Sequence, residues 1–376
     1  MTDATLTAAQ ARAWRVARHR LDARAPREAL VDVAGVLCGV HAQLQSSAEL
    51  ALWARVEGLR PGDVDRALWE ERSLVKLWAM RGTLHLLPAA ELGRWSAALG
   101  TRERFRTGVW FRSFDITPEE LDRLVDEVGA VLRDRILTRA ELAAEVAERT
   151  GSDHLRAKLE ESFGAYLKPA AARGELCFAP SAGQNVRFTH PATWVGGLET
   201  ADPDDALDEV TRRYLHAYGP ADREDFARWW GIPSPARALE RIRRLGDAVV
   251  EVEVGGRRGF MLAEDAAQVV ALDPPATVAL LPAFDPHVAG SSRADTDVLA
   301  AEHKARVHRP QGWISPVLLV DGRIAGVLRH ERKGDRIEIE IEPFGALADE
   351  TRDRAEAHAR DLAAFLGGDL ALRFAA

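Results

Sequence analysis

Asp222-Arg-Glu-Asp-Phe-Ala-Arg-Trp-Trp230, Gly231-Ile-Pro233 and Ser234-Pro235 lead, after one helix length, into Val249-Val-Glu-Val-Glu-Val254, Gly255-Gly256 and Arg258-Gly-Phe-Met-Leu262. Asp222 is a cap residue for a short helix carrying Phe226, Trp229 and Trp230, and Gly231-Ile-Pro233 turns the chain. Ser234-Pro235 opens a second helix, Ala236 to Leu245, with proline at its first position. The alternating valines predict a strand, and the Gly-Gly pair predicts a hairpin that returns through Arg258 to Leu262. Upstream, Leu207 to Tyr218 reads as an amphipathic helix broken by Gly219-Pro220. Helix–turn–helix followed by a β-hairpin is a winged helix. Such units set one helix in a DNA groove and the hairpin on the backbone, although they also serve as protein–protein modules.

The same order occurs twice more. Pro118 to Leu132 is followed by Thr138-Arg-Ala-Glu141, a capping box that opens a helix to Arg149. Gly151 ends that helix, Asp153 to Arg173 reads as a long third one, and Gly174 to Phe178 with Val186 to Thr189 reads as the wing. In the first copy, helices are expected over roughly 7–21, 27–39, 47–57 and 62–71. Its wing is Leu74 to Met80, then Arg81-Gly82, then Thr83 to Leu87. From Thr277 the texture changes to short strands: Val278 to Leu281, Ile314 to Val320, Ile324 to Arg329 and Arg336 to Ile341. Asp321-Gly322 and Lys333-Gly334-Asp335 make the turns, and a helix over 349–366 with a strand over 369–374 completes the tail. The expected fold is α+β, three tandem winged helix-turn-helix units followed by a small C-terminal β-barrel with a helix. The expected boundaries are 1–88, 89–198, 199–265 and 276–376.

With 376 residues, the chain exceeds one ordinary domain of ~100–200 residues. A hydrophobic fraction of 47% excludes global disorder. Cys38 and Cys177 are isolated, which excludes a disulfide scaffold. The longest apolar stretch, Leu30 to Val40, is interrupted by Asp32 and too short to span a bilayer. No signal peptide is visible after Met1, so a cytoplasmic location is expected. A net charge of −8 argues at first against nucleic acid. Its distribution argues otherwise. Glu199 to Glu209 is acidic and reads as an exposed linker, with a second marked by Glu264-Asp265 and Asp273-Pro-Pro275. Against these stand Arg12 to Arg27, Arg102 to Arg112, Arg237 to Arg244, and Lys304, Arg306 and Arg309. Each basic stretch reads as a solvated helix face or as a surface for phosphates.

Common catalytic signatures are absent: no Walker loop, dinucleotide fingerprint, Gly-x-Ser-x-Gly or His-Glu-x-x-His. His303 and His308 are too isolated for a zinc site, and no metal is expected. The segment with chemical content is Gly39-Val-His-Ala-Gln-Leu-Gln-Ser-Ser-Ala-Glu-Leu50. Gly39 is placed to end one helix, and Ser46-Ser-Ala-Glu49 fits a capping box that would start the next near Ser47. His41, Gln43 and Gln45 would then share one face of an extended connection, with Ala42 and Leu44 turned to the core. Either a polar site or a local turn network fits that pattern.

Gly39-Val-His-Ala-Gln43 with Ser47-Ala-Glu-Leu-Ala-Leu-Trp-Ala-Arg55, and Trp78-Ala-Met-Arg-Gly-Thr-Leu-His-Leu-Leu87, resemble the catalytic segments of the AlkZ-like winged-helix DNA glycosylases. The resemblance runs along nearly the whole chain and includes Leu281-Pro-Ala-Phe-Asp285 and Val320-Asp-Gly-Arg-Ile-Ala-Gly326. The family carries a Gln-x-Gln or Gln-x-Asp pair. Here His41-Ala42-Gln43 stands in that place, with Gln43-Leu44-Gln45 as a shifted register. The first register keeps the spacing to Ala48-Glu-Leu50.

The resemblance implies a monofunctional DNA glycosylase that excises bulky N7-alkylguanine or unhooks interstrand crosslinks, in repair or self-resistance to a genotoxin. Alkylation at N7 makes the base a cation that departs neutral, so the site needs little acid. His41, with an ordinary pKa near ~6.5, would accept a proton from water, and Gln43 would orient it. Gln45 is a possible auxiliary. Arg81 and His85 on the first wing would touch DNA or the lesion. Arg241, Arg243, Arg244, Lys304, Arg306 and Arg309 would hold phosphates. No lysine lies in the motif segment, so no Schiff base is expected. The expected partner is double-stranded DNA containing alkylated guanine, with no cofactor and no membrane, the protein acting as a monomer. A transcription regulator and a drug-sequestering protein are the alternatives.

Overall fold

The computed structural model describes residues 4–161 and 164–375 and is mixed α+β. Three small antiparallel hairpins each take one further short strand. Leu74–Trp78 and Leu84–Pro88 take Val40–His41, while Cys177–Ala182 and Asn185–Thr189 take Leu137–Thr138. The third hairpin, Val249–Val254 with Arg257–Leu262, takes Ala4–Leu6, which runs parallel to its first strand. The first described strand therefore lies on the third hairpin. Trp14 of helix Ala8–Arg18 is buried there with Leu6, Val252 and Met261. A sequence window cannot reveal such a pairing, because nothing in three residues names a partner far along the chain.

The tail is a correction to the expected barrel. Its strands lie in the order Val278–Leu281, Val317–Val320, Arg323–Lys333, Arg336–Pro343 and Asp369–Phe374, with both end strands left as edges. Helix Asp349–Phe365 packs on both of these edge strands, and the last strand enters parallel to its neighbour. The helix occupies the side on which the edges would otherwise meet, so the sheet stays open. One apolar core joins this sheet to the first segment, and another joins the second and third segments to the first hairpin.

Where local chemistry is strong, the expected elements form. Thr138 caps helix Arg139–Thr150 with Glu141 reciprocating, and Pro118–Leu132 has its own capping box from Thr117 and Glu120. Other expectations change. The expected helix from Asp153 to Arg173 is two helices, Asp153–Glu161 and Lys168–Ala172; residues 162–163 lie outside the described residues. The acidic linker is largely helix, because Pro203–Tyr218 begins inside it. The Asp202 carboxylate accepts the amides of Asp204 and Asp205 at 2.9 and 3.1 Å. Carboxylates are favoured in a first helical turn, so the acidic run is a helix start. Glu264-Asp265 likewise lies in helix Ala263–Val269, with Asp265 buried against His216.

The opening arginines are internal ties. Arg12 pairs with Asp297 and Arg15 with Asp295, both guanidiniums being buried. No helix among the described residues is long and apolar enough to cross a membrane.

Candidate active site

Gly39 fixes the start of the site. Its amide bonds to the Ala34 carbonyl at 2.9 Å and its φ is +96°, which closes helix Leu30–Val36. A Cβ there would meet Leu87 at 2.7 Å, so only glycine lets the chain enter the sheet so closely. Val40 and His41 then pair with Leu86 and His85, and the Ala42 amide bonds to the Leu84 carbonyl at 2.7 Å. His41 is thus held by its backbone, one residue before the chain leaves the sheet.

The following residues depart from the sequence reading. The helix starts at Gln45, two residues earlier than expected, and no side chain caps it. The expected capping box fails because the Glu49 carboxylate is turned outward to accept the Gly62 amide at 3.2 Å. Gln45 therefore does not share a face with His41. Its side chain accepts from Lys76 Nζ at 2.8 Å, outside the site. Leu44, expected in the core, is 37% exposed.

His41 and Gln43 line one cavity of about 510 Å³. His41 is only 6% exposed. Its ring lies flat on Phe284, centroids 4.8 Å apart, and meets the edge of His85 at 5.3 Å. Nδ1 is buried without a partner, so Nε2 is the ring nitrogen available to the cavity. Burial, reinforced by the Arg81 charge, pushes the imidazole down to about 3. His41 is therefore neutral at pH 7, an acceptor rather than the half-protonated group its ordinary pKa suggests.

His85 is a correction. It is 3% exposed and lies behind His41, with Nδ1 donating to the Thr83 carbonyl at 2.9 Å. Burial and the adjacent His41 hold its pKa well below normal. It backs the His41 ring and is buried rather than displayed at the surface as the sequence reading expects. Arg81 does line the cavity, at φ +58° in the hairpin turn. Burial and Arg228 bring its pKa down to about 10.

The cavity residues that escaped sequence reasoning include Phe284, Trp313, Arg228 and Arg293. Phe284 sits in the quoted Leu281-Pro-Ala-Phe-Asp285, but only the fold sets it under His41. The adjoining Asp285 forms a bidentate pair with Arg55 at 2.7 and 2.8 Å, both side chains fully buried. Arg228 comes from helix Arg223–Trp230. Its Nη1 donates to Ala289 O at 3.0 Å and its Nη2 to Ser291 O at 2.7 Å. That helix approaches the first hairpin because Gly231 follows it, where a Cβ would lie 3.3 Å from Arg81 Cα. Arg293 is exposed, and no carboxylate pairs with it among the described residues. Partial desolvation of its head group at the cavity wall, followed by the Arg228 charge, lowers its pKa. Arg228 also meets the Asp225 carboxylate at 3.4 Å, whereas Arg81 and Arg293 have no carboxylate partner among the described residues, so the cavity keeps a positive excess suited to an anion.

The remaining arginines divide. Arg241 pairs with Asp204 at 2.6 Å and Arg244 with Asp208 at 3.0 Å, so helix Pro203–Tyr218 already neutralises both. Arg306 pairs with Glu342 at 2.6 Å. Arg243, Lys304 and Arg309 are exposed, with no carboxylate partner among the described residues. Arg309 lines a second cavity beside the first. Among the described residues no group of three or more His, Cys, Asp or Glu is placed to hold a metal ion.

The chain is similar to known proteins along most of its length. A family model described as DNA glycosylase AlkZ-like matches residues 34–365. An interstrand DNA cross-link repair glycosylase of Streptomyces sahachiroi is 39% identical over 319 residues, 84% of this chain and 85% of the relative. The solved structure of the Streptomyces sahachiroi DNA glycosylase AlkZ superposes with a TM-score of 0.88 at 35% identity, over 99% of this chain and 100% of that one. The chain belongs to the AlkZ-like DNA glycosylase family.

Proposed function

We propose that this chain hydrolyses the N-glycosidic bond of N7-alkylated guanine in double-stranded DNA, including bulky adducts and interstrand crosslinks, with His41 and Gln43 holding the attacking water. The observation that carries the reading is one cavity in which a neutral His41 and Gln43 stand beside Arg81, Arg228 and Arg293. Its use would be DNA repair or resistance to a genotoxin.

The chemistry suits these groups. The departing purine is already a cation and leaves neutral, so no general acid is required. The sugar becomes oxocarbenium-like, and water adds at C1′. As that C–O bond forms, the water becomes far more acidic than free water. A weakly basic imidazole then suffices, taking the proton late through Nε2 and releasing it to solvent. Gln43 offers one acceptor and two donors and orients the water without exchanging a proton. Lys76 holds Gln45 and lines neither this cavity nor its neighbour, consistent with hydrolysis without a Schiff base. Arg81, Arg228 and Arg293 would hold the phosphates flanking the lesion. The three hairpin-bearing segments would act as winged helices on the duplex, with Arg243, Lys304 and Arg309 as phosphate contacts.

The test is release of N7-methylguanine, and unhooking of a nitrogen-mustard crosslink, by the wild-type protein, His41→Ala and Gln43→Ala. Release by the wild type that falls in both variants supports the reading. No release from either substrate, together with tight binding of one undamaged duplex sequence, makes the chain a DNA-binding regulator instead.

A further inference from the structure

A crosslinked purine keeps its tether to the opposite strand when it reaches His41, so the His41 cavity has to open onto a second space. That space exists. Leu44 and Trp313 form a wall common to the His41 cavity and to a neighbouring cavity of about 810 Å³. Leu44 is 37% exposed and Trp313 41% exposed, two large apolar side chains left open on either side of that wall. Trp313 stands edge-on to Phe284, with centroids 4.9 Å apart, and so is held against the ring beneath His41.

Leu50, Pro282, Pro316 and Val327 line the second cavity on its apolar side, together with charged side chains that include Arg329, Glu340 and Glu342. Its rim carries the exposed Arg309, whose amide closes the loop on the Trp313 carbonyl at 2.9 Å. Either cavity alone lies within the range of about 300–1,000 Å³ that holds a drug-sized ligand. A purine by itself leaves the pair largely empty. An exposed indole beside these apolar side chains forms a platform for a flat partner.

We propose that the second cavity binds the part of the lesion that is not the base: an apolar, preferably aromatic body attached at N7, stacked on Trp313 and pressed against Leu44. This rests on the glycosylase reading above and names the subsite that would set its preference for bulky lesions. Catalysis and lesion choice then fall to different residues on the two sides of one wall.

The experiment fills the second cavity without touching the first. Ala305→Trp adds bulk at an exposed position on the rim, and Val327→Phe adds it from the sheet. The substrates are one duplex carrying either N7-methylguanine or N7-(naphthylmethyl)guanine. Both variants should release N7-methylguanine within about twofold of wild type. They should release the naphthylmethyl base at least about tenfold more slowly. Equal loss on both lesions, or no loss on the bulky one, overturns the proposal.

Equilibrium binding of the two free bases separates this outcome from failure of the glycosylase reading, because it needs no catalysis. Wild type should bind 7-(naphthylmethyl)guanine about tenfold more tightly than 7-methylguanine, and both variants should lose that preference. No preference in the wild type overturns the subsite whether or not the protein cleaves DNA.

Discussion

The imidazole of His41 and the ring of Phe284 lie parallel, centroids 4.8 Å apart and planes within 16°. Phe284 covers one face of the histidine and His85 meets it edge-on, so water reaches the ring only from the cavity. Phe284 holds this position at φ +59°, a conformation unusual for a phenylalanine. The neighbouring Asp285 clamps it by pairing with Arg55 in the interior.

Replacing His41 tests what the ring does. His41→Ala should lower single-turnover release of N7-methylguanine by about 10²–10⁴-fold, the usual worth of a positioned base. In the proposed mechanism the neutral ring first accepts a hydrogen bond from the water and takes the proton only late. His41→Gln should therefore keep a larger share of the rate than His41→Ala. Equal loss in both would make proton transfer essential from the outset.

The pH profile follows from the depressed pKa. A lowered histidine pKa keeps the active, neutral form populated down to about pH 3. Base release should thus be flat from about pH 5 to 8 after subtraction of spontaneous depurination, where an ordinary imidazole near ~6.5 would lose half its activity by about pH 6.5 and nearly all of it by about pH 5. Phe284→Ala exposes the ring to water and should raise its pKa toward the ordinary value. An acid limb near pH 5–6 should then appear.

Stability should share this dependence. His41, His287 and His358 are each pushed to about 3 by burial. The unfolded chain takes up these protons near ~6.5 and the folded protein does not. Stability should fall as pH drops from about 6.5 toward 3, beginning above the carboxylate range. Urea unfolding at pH 7 and pH 5 measures the difference, and it should shrink in His358→Gln.

The Arg55–Asp285 pair is fully buried, so removing one partner strands the other. Asp285→Asn should cost about 3–5 kcal/mol in urea unfolding, and Arg55→Met a similar amount. The double variant should cost less than the sum. Base release by Asp285→Asn should also fall, because Phe284 loses its anchor beneath His41.

Salt dependence separates arginines with similar sequence settings. Arg243→Ala and Arg309→Ala should each reduce the slope of log affinity against log salt by about one unit. Arg241→Ala and Arg244→Ala should change it less, because Asp204 and Asp208 already neutralise those side chains. A full-unit change at Arg244 would mean that DNA displaces Asp208.

What the chain reveals by itself follows the range of the interactions. Alternating valines over 249–254, the capping box at Thr138, and the helix-ending Gly39 act within a few residues, and each element forms. The His41–Gln43 segment stood out through its resemblance to the family's segment rather than through local pattern alone, and the fold sets both residues on one cavity. Only the tertiary structure decided the rest. Glu49 bonds Gly62 rather than capping its own helix, and Gln45 is drawn to Lys76. Ala4–Leu6 completes the third hairpin, and the tail sheet stays open under its helix. Phe284 and Trp313 arrive from the tail, Arg228 from the third segment, and Asp204 and Asp208 quench arginines that looked free. The physical reason is common to all of these: burial and ion pairing depend on what the fold brings within a few ångströms, which local sequence patterns do not encode.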